Sequence, residues 1–430
     1  MNLAYMHPAD QLLAVMKRIY TKGMTTTSGG NLSIKDADGN VWITPASIDK
    51  GTLTRRDIVC VKPSGEVVGI HKPSSELPFH QSVYRRRPDI HAVLHAHPPG
   101  LVAFSIARKL PHLDMLPSVK RICGDIALSK YAVPGSEKLG ENIAQYFDKG
   151  YNVVFLENHG VCIGDDDIFK AFRKFETLEF ACNVEIEAHR IGKLNTLNDE
   201  ELALADSLKP AELPEFVPEV RSPEELAARR DMIPFLKRIY DQNLAITSLR
   251  ALSVKLSDGS FLITPHGKDR YELEEEDLVL VKDGKREAGK VPSEAVFFHQ
   301  AVYRENPEVN AVMLAQPRYV MAFAVTDAVF DARTIPESYL LLRDIKKMDA
   351  DILYKDPTAA AKNFSNPVPA IIFKNDSLAV TGSTLLQVFD RFEVAEATAH
   401  SIIISTEVGE VVHIHDDEVE EIKVVFNLKD

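Results

Sequence analysis

His80-Gln-Ser-Val-Tyr-Arg-Arg-Arg-Pro-Asp-Ile-His-Ala-Val-Leu-His-Ala-His-Pro98 returns later in the chain, without a gap, as His299-Gln-Ala-Val-Tyr-Arg-Glu-Asn-Pro-Glu-Val-Asn-Ala-Val-Met-Leu-Ala-Gln-Pro317, with 10 of the 19 pairs identical. A repeat at so long a period marks a duplicated domain. The register holds on either side. Met16-Lys-Arg-Ile-Tyr20 repeats as Leu236-Lys-Arg-Ile-Tyr240, Ile43-Thr-Pro45 as Ile263-Thr-Pro265, and Phe172-Arg-Lys-Phe-Glu176 resembles Phe389-Asp-Arg-Phe-Glu393. A chain of 430 residues is also too long for one ordinary core. Two homologous domains follow, 1–208 and 209–430. Between them residues 195–222 are acidic and carry Pro210, Pro214 and Pro218, the composition of a linker, with one short helix expected over 199–207 and the boundary near 210.

Each copy alternates short strands with helices. In the first, helices are expected over 8–22, 75–87, 99–108, 136–148 and 166–191, and strands near 31–35, 40–44, 58–62, 66–70, 92–97 and 152–157, with tight turns such as Asp38-Gly39. Mixed strands covered by helices predict an α/β fold, layered α/β/α in each copy. The acidic run at Asp165, Asp166 and Asp167 reads as the start of the final helix, where carboxylates cap free N–H groups.

Composition bounds the function. The chain is 45% hydrophobic and 26% charged with a net charge of -13, which argues against nucleic-acid binding but leaves room for an anionic small molecule in a local pocket. Cys60, Cys123, Cys162 and Cys182 form no Cys-x-x-Cys pattern and read as reduced thiols. The first 24 residues read as an amphipathic helix rather than a leader, and no stretch approaches the roughly 20 apolar residues of a membrane span. A cytoplasmic protein with no membrane partner is expected.

His95-Ala-His97 on an extended segment points both imidazoles to one face. His159, after an apolar strand, and Glu76, upstream of the pair, complete the donor set that a catalytic zinc commonly uses. The second copy offers a contrast within the chain. Pairing residues by sequence alone, the positions of His95, His97, His159 and Glu76 hold Leu314, Gln316, Ser377 and Ala295, so one metal per chain is expected. His80 persists as His299 in the copy without the set, and both are read as structural hydrogen-bonding residues.

Three small-residue segments of the first copy suit a phosphate: Thr27-Ser-Gly-Gly-Asn31, Thr44-Pro-Ala-Ser47, and Ser74-Ser75 ahead of a helix. Backbone N–H groups in such turns and at helix starts bind anions without a cationic side chain. The second copy has Arg250-Ala251 and Ser293-Glu294 in these places, so only the first copy is expected to bind phosphate.

Gly30-Asn31-Leu-Ser, Ile43-Thr-Pro, Lys72-Pro-Ser-Ser-Glu-Leu-Pro-Phe-His80, His95-Ala-His97-Pro and Asn158-His-Gly160 together resemble the class II aldolase/adducin family. The likeness covers residues 8 to about 192, and residues 225 to about 405 resemble the same fold with the site erased. Enzymes of that family include metal-dependent fuculose and rhamnulose phosphate aldolases, ribulose-phosphate 4-epimerases, methylthioribulose-phosphate dehydratase and decarboxylases; adducin-type heads are non-catalytic.

The resemblance implies zinc on His95, His97 and His159, Glu76 as acid/base, and Gly30, Asn31, Ser47, Ser74 and Ser75 around a phosphate. It implies a lyase that makes or breaks a C–C bond in a phosphorylated sugar or ketose through a metal-stabilised enediolate. Epimerisation, dehydration, decarboxylation and a non-catalytic module are the alternatives. Glutamate at position 76 is similar to the aldolases, whereas the epimerases carry aspartate there. Ser47 stands where the family commonly has glycine. The family's aldolases also take a tyrosine from a neighbouring subunit. Tyr339 in Ile335-Pro-Glu-Ser-Tyr339 resembles it, which implies a homo-oligomer, a dimer of chains forming a pseudo-fourfold ring.

Overall fold

The computed structural model describes residues 5–207, 212–246 and 250–428. The boundary expected near residue 210, with Pro210 itself, lies outside them. The chain divides into two compact units, one of Met1–Leu113 with Val119–Asn183 and one of Asp114–Ser118 with Val184–Asp430.

In chain order the first copy runs α1 Pro8–Thr21, β1 Asn31–Lys35, β2 Val41–Ile43, β3 Val59–Val61, β4 Val67–Val68, α2 Leu77–Arg86 and β5 Ala92–Ala96, then α3 Pro99–Ala107 and α4 Pro117–Cys123. It continues with β6 Ile126–Ser129, α5 Glu137–Asp148, β7 Val153–Leu156, β8 Gly160–Asp165 and α6 Ile168–Ile191. The eight strands form one sheet in the order β4-β3-β2-β1-β5-β8-β7-β6. All neighbours whose register is described are antiparallel except β6 with β7.

Local chemistry accounts for these elements. In the β1–β2 hairpin, Gly39 takes the positive φ of the turn while the Asp36 carboxylate accepts from the backbone N–H groups of Asp38 and Asn40. Asp167 opens α6, its carboxylate accepting from the Phe169 and Lys170 N–H groups. On one face of the sheet Phe79, Val83 and Tyr84 of α2 and Leu139, Ile143 and Phe147 of α5 close over Ile43, Val59, Val93 and Leu156. Each such side chain contributes about 1.5–3 kcal/mol on burial. Leu32 and Leu94 point to the opposite face and are fully buried as well; α1 packs against β1 and β2, and α3 against β7 and β8.

Two strands and one helix exceed the sequence expectation. β8 lies between β5 and β7, where both faces are covered, so Val161-Cys-Ile163 shows no alternation and its flanking glycines imitate a turn. β6 and α4 fall in a stretch with no periodic pattern.

After the first copy comes α7 Asp199–Asp206, and the second copy runs β9 Glu215–Phe216, α8 Pro223–Asp241, β10 Ala251–Lys255, β11 Phe261–Ile263, β12 Val279–Lys282, β13 Lys285–Glu287, α9 Val296–Glu305 and β14 Ala311–Ala315. It ends with α10 Arg318–Ala324, α11 Pro336–Leu342, β15 Lys346–Asp349, α12 Asp351–Lys355, α13 Pro357–Ala361, β16 Ala370–Lys374, β17 Ser377–Gly382, α14 Leu385–Ser405 and α15 Asp416–Val425. Its sheet, β15-β16-β17-β14-β10-β11-β12-β13-β9, repeats the first with β9 added at one edge. The short helix expected near 199 is α7, closed by a reciprocal cap between Asn198 and Glu201. No helix among the described residues is long and apolar enough to cross a membrane.

Candidate metal centre

β5 stops at Ala96, so His95 is on the strand and His97 lies just beyond it. Their rings still converge, Nε2 to Nε2 at 2.8 Å. His159 sits in the turn joining β7 to β8, after Asn158 in a left-handed conformation (φ 54°). One nitrogen from each of the three imidazoles lies within 4.8 Å of the others, an arrangement that can hold a metal ion.

The surroundings suit neutral, ligating imidazoles. Burial pushes all three pKa values down, His95 furthest, with His97 and His159 adding to the effect there. The Val161 carbonyl can only accept, so His95 donates to it from Nδ1 at 2.8 Å and presents a bare Nε2 to the centre. Space is shaped to match: a Cβ on Gly160 would stand 2.7 Å from both the Ala96 carbonyl and the His97 ring, and one on Gly30 2.8 Å from the His95 carbonyl. Neither position admits a side chain without displacing a histidine strand.

Glu76 occupies the N-cap of α2. Its carboxylate lies between the rings, Oε2 3.3 Å from His95 Nε2 and Oε1 3.6 Å from His159 Nε2. Oε2 also accepts from Asn31 Nδ2 at 2.7 Å. Oε1 and His159 Nδ1 are buried with no hydrogen-bond partner, which is the state of groups that wait for a ligand. The donor set fits a divalent ion.

The segments expected around a phosphate meet beside this centre. Ser74 N–H donates to the Thr44 carbonyl, Pro45 and Pro73 form a β-bridge, and Lys50 N–H donates to the Thr27 carbonyl. Ser47 adopts φ 56°, the backbone conformation that glycine would supply there, so the turn keeps its path. Ser74 Oγ accepts from Glu76 N–H, and the Ser75 carbonyl lies against Gly135. Gly30 and Asn31 enter β1 opposite His95. The Asn31 amide is committed at both ends, to Glu76 and to His80. Tyr339 belongs to the second unit, where it is buried on α11.

Sequence reasoning missed two features. Lys50 is buried and donates to the Pro45 carbonyl, and burial pushes its ammonium down to about 8; Arg270 does the same to the Pro265 carbonyl in the second unit. Nothing but their shared place after the Thr-Pro turn signals this. The other is the chain of hydrogen bonds that runs behind Asn31 through His80 and Ser33 to Tyr84.

Strand register corrects the pairing of the two copies at one position. Leu156 faces Gly160 across the β7–β8 turn, and Phe373 faces Ser377 across the β16–β17 turn, with Asn158 and Asn375 both left-handed between them. The counterpart of His159 is therefore Asp376, not Ser377. Asp376 is fully buried and is claimed by Arg250, which stands in the place of Gly30, by the Tyr354 hydroxyl, and by Ser377 Oγ at 2.6 Å. An ion pair fills the place of the metal centre in the second unit. Asp376→Ala leaves a half-buried guanidinium without its carboxylate partner and is expected to destabilise the second unit by about 1–3 kcal/mol, read by denaturant unfolding of the full chain.

The chain matches the family described as Class II Aldolase and Adducin N-terminal domain twice, over residues 10–186 and 230–403. It is 33% identical over 170 residues to an L-fuculose phosphate aldolase of Methanococcus maripaludis, covering 39% of this chain and 91% of that protein. It is 30% identical over 197 residues to a 5-deoxy-D-ribulose 1-phosphate aldolase of Bacillus thuringiensis, covering 45% and 91%. A 3-oxo-tetronate 4-phosphate decarboxylase of Pectobacterium atrosepticum is 33% identical over 164 residues, covering 37% and 75%.

Proposed function

The chain belongs to the class II aldolase and adducin N-terminal domain family and is an enzyme of the aldolase-like lyase type, and from that premise we propose that its first unit cleaves or forms a C–C bond in a small phosphorylated ketose. The observation that carries the reading is the Glu76 carboxylate set between His95 and His159, with one oxygen held by Asn31 and the other free. A divalent metal on His95, His97 and His159, zinc by the character of the donors, would supply Lewis-acid polarisation of a carbonyl and its adjacent hydroxyl.

The rest falls to side chains and backbone. Asn31 fixes Glu76 Oε2, so Oε1 is the atom that takes up or returns the proton. Gly30, Ser47, Ser74 and Ser75 hold the phosphate through N–H groups and hydroxyls, which places the sugar chain toward the carboxylate. Tyr339 is the proposed proton donor to the leaving group, and the second unit binds no metal and serves as scaffold and interface. A homo-oligomer accompanies this reading, supported by the family resemblance.

Decarboxylation is the second reading, because the decarboxylase relative is as identical as an aldolase relative. Incubating the zinc-loaded protein with L-fuculose 1-phosphate, 5-deoxy-D-ribulose 1-phosphate and 3-oxo-tetronate 4-phosphate separates the two. Release of dihydroxyacetone phosphate from either ketose supports the aldolase, and release of carbon dioxide alone replaces it.

A further inference from the structure

Glu76, His80 and Tyr84 lie four residues apart along one stripe of α2 and its cap, and Asn31 and Ser33 are alternate residues on the facing side of β1. Four helical residues advance about 6 Å and two strand residues about 6.6 Å, so the two rows keep step where helix and strand run side by side. Their side chains interleave. Tyr84 OH meets Ser33 Oγ at 2.6 Å, Ser33 Oγ meets His80 Nδ1 at 2.7 Å, His80 Nε2 meets Asn31 Oδ1 at 2.5 Å, and Asn31 Nδ2 meets Glu76 Oε2 at 2.7 Å.

The carboxylate fixes the direction of every bond. It can only accept, so the Asn31 amide turns its N–H to Glu76 and its oxygen to His80. His80 must then carry its proton on Nε2, which leaves Nδ1 to accept from the Ser33 hydroxyl. Ser33 in turn accepts from Tyr84, and Tyr84 accepts from the backbone N–H of Val93. All donors point one way, and dipoles aligned in a dry interior reinforce one another.

The second unit repeats the rear of this row without its front. Tyr303, Ser253 and His299 keep the same contacts, both at 2.6 Å, but Ala251 and Ala295 replace the asparagine and the glutamate. His299 Nε2 is left buried with no partner, so nothing in the local fold requires an acceptor at that nitrogen. What the first unit adds in front of His80 serves the site.

We propose that Tyr84, Ser33 and His80 are positioning residues that lock the Asn31 amide and through it hold Glu76 in the single orientation its proton transfer requires. The inference rests on the reading of Glu76 as acid/base. Its structural part can be tested without turnover, by nitrogen-15 NMR of the zinc-loaded full chain. His80 is expected to be protonated on Nε2 alone, with Asn31 side-chain amide hydrogens that exchange slowly. In Ser33→Ala, a change that touches neither Glu76 nor a histidine of the centre, those hydrogens are expected to exchange faster. Turnover of L-fuculose 1-phosphate is expected to fall about 10- to 100-fold at unchanged KM and unchanged zinc content. A proton on Nδ1 of His80 overturns the proposal. So does a Ser33→Ala protein that is less stable yet keeps its Asn31 signals and its turnover number. If the unaltered protein turns over no sugar phosphate, the proposed reaction fails while the NMR outcome still decides the hydrogen-bond chain.

Discussion

Glu76→Gln is expected to keep about one zinc per chain and to lose about 10²–10⁴-fold in turnover, the usual worth of a positioned general acid or base. Glutamine matches glutamate in shape, and its amide oxygen takes over the bond from Asn31 Nδ2 that Oε2 receives in the native protein. The other position then carries an N–H₂ group toward His159. That group has no lone pair for a substrate proton, so chemistry is lost while the three imidazoles are undisturbed. Metal analysis beside turnover of L-fuculose 1-phosphate checks both halves, and a fully active Glu76→Gln protein rules out Glu76 as the base.

His95→Ala is expected to lose both metal and activity. Removing a partner that merely orients a ligand costs about 10–100-fold in metal affinity, and deleting a fully buried ligand exceeds that. The Val161 carbonyl loses its donor and Phe79 its edge-to-face neighbour, so some stability goes as well. Calorimetry separates these losses. Zinc at about 100 times its Kd stabilises the native protein by about 2.7 kcal/mol, so chelation lowers its Tm and zinc restores it. The Tm of His95→Ala should begin lower and stay indifferent to zinc. A variant that binds zinc as tightly as the native chain would falsify the three-histidine centre.

What the sequence made legible follows from distance along the chain. His95 and His97 are two residues apart, and a strand-like run is enough to place both on one side. The relation of Asn31 to His80 spans 49 residues and joins a period of two to a period of four, a pattern that neither strand nor helix periodicity displays alone. The duplication carried the hint, because Ser33, His80 and Tyr84 recur as Ser253, His299 and Tyr303. The comparison slipped by one residue at His159, although the two turns are equally long. Only the asparagine is shared between Glu157-Asn-His-Gly160 and Lys374-Asn-Asp-Ser377, and it is strand pairing on either side that fixes their register. β8 escaped notice because a strand covered on both faces has no polar side to reveal it.

The Arg250–Asp376 pair gives the loss of the second centre the character of a ratchet. Returning a ligand to position 376 strands a half-buried arginine, and removing the arginine first strands a buried aspartate, so each one-step path back passes through an uncompensated charge. Leu314, Gln316, Ala251 and Ala295 would still have to change. Selection acting one substitution at a time meets a barrier in every direction, and the asymmetry between the two copies is thereby preserved by the stability of the fold rather than by the demands of the reaction.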